Sequence, residues 1–165
     1  MKKIIAYFFL YIIFCMLQFF LGKYLNICGV FPNLILILIV YLGFTRGVVC
    51  AEIMGFLLGI TWDVFSTDIF GMRAVIFTII GYFTGKINKK FDKDKIQAQI
   101  VIVMLTSIAY WFIFSLIYWI IPASETGSPS FITAKAMFRI LATVVVAPIV
   151  FLILNRLNLF FKDDT

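Results

Sequence analysis

No histidine occurs anywhere in the 165 residues, so the commonest general base and metal ligand is missing. The three cysteines, Cys15, Cys28 and Cys50, show no metal-binding or redox spacing. Cys15 and Cys50 sit in apolar runs and read as small packing residues. Charge is scarce as well. Asp, Glu, Lys and Arg make up 13% of the chain and apolar residues 64%, far outside the range of soluble globular domains. Neither a glycine-rich phosphate loop nor a nucleophile with a histidine partner is present. Glu52 and Asp63 would lie about 16 Å apart along a helix, too far to act on one bond. These absences argue against an enzyme, and they leave no cofactor or metal to expect.

What is there is hydrophobicity with a period. Apolar runs close to the length of a bilayer crossing recur along the whole chain, which defines an all-α, polytopic membrane protein. The length suits one integral membrane domain over residues 1–165. The net charge of +6 clusters beside apolar segments, where it sets orientation, so nucleic acid is not the expected partner.

Taken in order, the runs predict six crossings. Ile4–Leu21 follows a basic start and is too long for a typical signal-peptide core, so it reads as a retained first helix. Gln18, near its far end, reads as an interhelical or interfacial hydrogen-bonder. Gly22–Val30 forms an outer loop, and Pro32 suits the first turn of a second helix. That helix, Leu34–Phe44, is short for a crossing; it could begin near Ile27 or be partly re-entrant. Gly43, Arg46 and Gly47 end it at a cytoplasmic turn. The third helix spans about Val48–Val64 and the fourth begins near Phe70. Lys86–Lys95 carries five lysines and two aspartates and should be cytoplasmic. Ile96–Ile121 is an uncharged fifth helix, Pro122–Thr133 a polar outer loop, and Ala134–Leu154 a sixth helix with Pro148 inside it. Lys135 and Arg139 fall in the first turns of that last helix. Both termini then lie inside, and ten of the fourteen Lys and Arg residues fall on the inner side.

The stretch around which this layout is organised is Gly55–Gly71. Glu52, Gly55, Gly59 and Asp63 lie within about 60° of one another on one helical face. A carboxylate in hydrocarbon costs about 3 kcal/mol at a helix centre, so this stripe faces protein or water. Gly55 and Gly59 permit close backbone approach. Ala74, Thr78, Gly81 and Gly85 repeat the small-residue stripe on helix four, which predicts a tight antiparallel hairpin. Asp63 is expected to meet Arg73 and Arg139, clamping the outer ends of helices three, four and six.

The order of these features resembles the MreD family of bacterial rod-shape-determining membrane proteins. The resemblance rests on Pro32, the Gly43–Gly47 turn with Arg46, Gly-x-x-x-Gly-x-x-x-Asp at 55, 59 and 63, and Gly71 opening the next helix. It covers the whole length and is sharpest over Pro32–Gly85. Where many members have an acidic residue after the proline of helix two, this chain has Asn33. The resemblance implies a non-enzymatic part of the peptidoglycan elongation machinery in the bacterial cytoplasmic (inner) membrane. The implied partners are an MreC-type bitopic protein and, through it, MreB, RodA and a class B penicillin-binding protein. It carries over Gly59 and Asp63 as the helix-three motif and Gly71 as the following turn, and no catalytic residue.

The family is also similar in fold to substrate-binding subunits of vitamin transporters. That alternative requires a pocket ringed by Asp63, Asp68, Arg73, Glu125 and Arg139. The first helix lacks the Ala-x-x-x-Ala pattern with which such subunits dock their coupling protein. A pocket packed with aromatic side chains would favour the scaffold, and an open polar cavity the transporter.

Overall fold

A computed structural model describes residues 12–20, 31–66, 69–87, 96–120 and 129–160. Every regular element among them is helical. Here α1 denotes residues 12–20, α2 Leu34–Arg46, α3 Val48–Val64, α4 Met72–Ile87, α5 Ile96–Ile120 and α6 Pro129–Phe160. The basic stretch 88–95, residues 21–30 and 121–128, and both chain ends lie outside the described residues, as do the orientation signals that they carry.

The short second helix is the centre of the assembly. Each residue from Leu34 to Phe44 is buried, and α3, α4, α5 and α6 all pack against it. A helix that is apolar all round belongs in a protein core or in lipid, and for LILILIVYLGF the cover is protein. Its 13 residues span about 20 Å, short of the roughly 30 Å hydrocarbon layer. It does not begin near Ile27, because residues 31–33 are already non-helical. Pro32 is not in its first turn either: Asn33 is the N-cap, accepting from the Leu36 N–H at 3.1 Å, so Pro32 stands one residue outside.

An N-terminus inside a bundle needs acceptors for its free N–H groups. Gln18 of α1 accepts from the Leu34 N–H at 2.7 Å and donates to the Pro32 carbonyl at 3.2 Å. The Asn33 N–H donates to Thr143 Oγ1 of α6 at 3.0 Å. The interhelical role expected of Gln18 is therefore its observed one, and the acceptor from α6 is a residue to which the pattern gave no role.

The α3–α4 hairpin is the most extensive helix pair. Gly47 and Gly71 both adopt left-handed φ values, 88° and 87°, and turn the chain into α3 and α4. The two small-residue stripes then interlock. A Cβ at Gly55 would lie 2.6 Å from the Phe77 carbonyl oxygen, one at Gly81 2.6 Å from that of Ala51, and one at Gly85 2.5 Å from Val48 Cα. At Gly59 it would fall on the Ala74 backbone itself. The contact is backbone on backbone, the geometry for which small residues are suited. Gly43 extends it to α2, where a Cβ would meet Thr84 Oγ1 at 2.5 Å.

The outer pair, α5 and α6, presents single buried stripes: Gln99, Val103, Ser107 and Tyr110 on one, Thr143, Ala147, Phe151 and Leu154 on the other. These two helices are long and apolar enough to cross a bilayer. Their remaining surfaces are exposed and apolar, including Met104, Phe112, Val145 and Leu152. α6 starts at Pro129, earlier than expected, so Lys135 and Arg139 lie beyond its first turn, and Pro148 is well inside it.

Gly59→Leu should unfold the hairpin, since overpacking against an immovable backbone costs about 3 kcal/mol or more. Phe56→Leu changes a half-exposed side chain off the stripe and should shift stability by less than about 1 kcal/mol. Thermal unfolding in mild detergent checks both; equal midpoints would show that the interlock contributes nothing.

Candidate functional site

Asp63 ends α3 and is 2% exposed. Across the turn, α4 opens after Gly71, which has no side chain with which to cap the helix. Asp63 supplies the cap from the neighbouring helix. Its Oδ2 accepts from the Arg73 N–H at 3.1 Å and the Ala74 N–H at 3.2 Å. A carboxylate held on helix N-terminal N–H groups is favoured by their partial positive charge as well as by the bonds. The Arg73 guanidinium adds an ion pair, with Nη1 3.5 Å from Oδ1 and its own side chain 11% exposed. The acid thus joins α3 to α4 by three separate groups, all in a dry environment where each is strengthened. This placement requires Gly59, because only direct contact with the Ala74 backbone brings Asp63 level with the start of α4.

Arg73 also reaches α5, its guanidinium carbon 5.8 Å from the centre of the Phe114 ring. Arg139 does not join this cluster. It stands on α6 with its guanidinium 5.0 Å over the Phe31 ring. The clamp therefore holds α3 and α4 and touches α5; the expected third member, α6, is tied to the start of α2 through Thr143 instead. Of the residues expected to act together, Gly55, Gly59, Asp63, Gly71, Arg73, Gly81 and Gly85 form one contiguous structure, and Arg139 lies apart from it.

Beside the clamp, a half-open cleft of about 220 Å³ separates α5 from α6. Asn33 and Leu36 form its floor, Ser107, Tyr110, Trp111 and Phe114 one wall, and Lys135, Arg139, Ile140 and Thr143 the other. Phe114 borders both the cleft and Arg73. The polar ring required for a vitamin-type pocket is not assembled from these residues. Asp63 and Arg73 face each other, Arg139 faces Phe31, and Asp68 and Glu125 lie outside the described residues. The cleft escaped the sequence reading, although Ser107 with Trp111 and Lys135 with Arg139 each stand one helical turn apart and so share a face. Among the described residues no three His, Cys, Asp or Glu side chains come together as a metal site.

The described residues define an all-helical protein built on a tightly packed helix hairpin, with two further helices long and apolar enough to cross a membrane. The model of the family described as rod shape-determining protein MreD matches residues 2–157, and the chain belongs to that family. No curated protein and no solved structure matches it.

Asp63→Leu takes the acceptor from two N–H groups at the start of α4 and removes the ion pair with Arg73, and should cost about 3 kcal/mol. Asp63→Asn keeps an acceptor and should cost roughly half as much. Denaturation of both variants in detergent is the measurement, and a wild-type midpoint for Asp63→Leu would refute the clamp.

Proposed function

We propose that the protein is a non-enzymatic component of the bacterial cell-elongation machinery that makes peptidoglycan. It holds an MreC-type bitopic protein in the plane of the cytoplasmic membrane and, through it, MreB, RodA and a class B penicillin-binding protein. The observation that carries this reading is membership of the rod shape-determining family over nearly the whole chain. The geometry supports it. The one buried carboxylate on the hairpin stripe binds backbone N–H groups and an arginine, a structural use. The cleft has a mostly apolar lining and does not bring Asp63, Arg73 and Arg139 together as the ring that a transport pocket requires. A hairpin locked backbone to backbone offers a partner helix a surface of fixed shape, which lowers the ordering cost of association.

The chain crosses the membrane six times with both ends in the cytoplasm, and it does so as one membrane domain. The contacts of Gly59 with Ala74 and Gly85 with Val48 run α3 and α4 antiparallel, and those of Phe77 with Tyr110 and Arg73 with Phe114 do the same for α4 and α5. This orientation assigns ten of the fourteen Lys and Arg residues to the inner side. With Cys15, Cys28 and Cys50 replaced by serine, Ser128→Cys should react with an impermeant thiol reagent in intact cells and Asn88→Cys should not. The opposite pattern would invert the topology.

Partner binding is read by co-purification of MreC. Asp63→Asn should fold and retain less MreC than wild type, and Asp63→Leu should lose both stability and binding. Full MreC recovery with Asp63→Leu would remove the hairpin end from the partner surface.

A further inference from the structure

The cleft between α5 and α6 contains donors that the fold leaves unused. Ser107 is 4% exposed and its Oγ has no hydrogen-bond partner; one turn further on, the Trp111 Nε1 is buried and also without one. This is not the habit of hydroxyls in these helices. Thr78, Thr84, Thr106 and Thr143 each donate to the carbonyl four residues earlier. Both Ser107 and Trp111 line the same cleft, and across it stand Lys135 and Arg139. Arg139 meets the Phe31 ring face and no carboxylate among the described residues.

The inventory of these four side chains decides the ligand's chemistry. An indole N–H, an ammonium and a guanidinium can only donate, and a serine hydroxyl can donate as well. Their complement is an anion with several acceptor oxygens, and a phosphate matches a guanidinium best. Asn33 and Thr143 also line the cleft but are already bonded within the fold, and what remains, Leu36, Tyr110, Phe114, Ala136 and Ile140, is apolar or aromatic. A ligand that satisfies both parts joins a phosphate to hydrocarbon. The volume of about 220 Å³ accepts a headgroup and not a whole lipid. The walls are the two helices long and apolar enough to cross a bilayer, so acyl chains can stay outside along them.

We propose that the α5–α6 cleft binds the phosphate headgroup of an anionic membrane lipid, with Arg139 and Lys135 countering its charge and Ser107 and Trp111 donating to its oxygens. The site is independent of the scaffold reading: it requires only the cleft and its donors.

The test uses the full-length protein, delipidated in a non-ionic detergent and titrated with phosphatidylglycerol, phosphatidylcholine or inorganic phosphate. Native mass spectrometry counts bound lipid, and thermal unfolding gives affinity. Phosphatidylglycerol should bind at one site at least about tenfold more tightly than phosphatidylcholine, and Arg139→Gln should remove about that factor. Ser107→Leu fills the cleft with an apolar side chain; it should abolish saturable lipid binding while the lipid-free protein unfolds no earlier than wild type. That second variant decides the matter if Arg139→Gln yields no folded protein. Equal binding of the two lipids, or unchanged phosphatidylglycerol binding in Ser107→Leu, would overturn the proposal. Inorganic phosphate that binds as tightly as the lipid would overturn the lipid as its source.

Discussion

Helices that begin away from water must find acceptors for their first N–H groups, and this fold depends on how it meets that requirement twice. At α2 the acceptors are Gln18 from the helix before and Thr143 from the last helix, beside the local cap from Asn33. At α4 the acceptor is Asp63 from the helix before. In both cases a polar side chain of one helix is matched to a helix start elsewhere in the bundle. The two solutions differ in strength. A carboxylate on N–H groups with an arginine alongside is charge-assisted, whereas a carboxamide is neutral. The charged version stands where backbone contact between α3 and α4 already excludes water.

Packing and polarity support one another at that point. Gly55, Gly59, Gly81 and Gly85 remove the side chains that would hold the helices apart, and the resulting approach sets Asp63 level with the first turn of α4. Without the glycines the carboxylate would face no donors. Without the carboxylate the start of α4 would have unsatisfied N–H groups in a dry interface. The Gly-x-x-x-Gly-x-x-x-Asp spacing with Gly71 beyond it is thus one device, in which each position depends on the others.

Much of this was legible in the residues. The limits of α3 follow from Gly47 and the polar turn after Val64, and the hairpin follows from two small-residue stripes that can only face each other. The pairing of Asp63 with Arg73 follows from their placement at the same end of adjacent helices. Arg139 occupies that end too, but periodicity does not say which neighbour a helix face meets, and α6 turns its arginine toward Phe31. The α2 start was hidden for a related reason. Thr143 is one threonine in the apolar stretch RILATVVVAP, and only the approach of Asn33 gives it a partner. The cleft belongs to no single element, so no window of sequence contains it.

The central position of α2 constrains the order in which the molecule can be made. It leaves the ribosome before α3, α4, α5 and α6, yet all four supply its cover. The acceptor for its Asn33 N–H arrives 110 residues later. Until α6 is in place, α2 lacks one side of its cover and the acceptor for its Asn33 N–H. A chain stopped before Thr143 therefore lacks a piece of its own centre, not merely an outer layer.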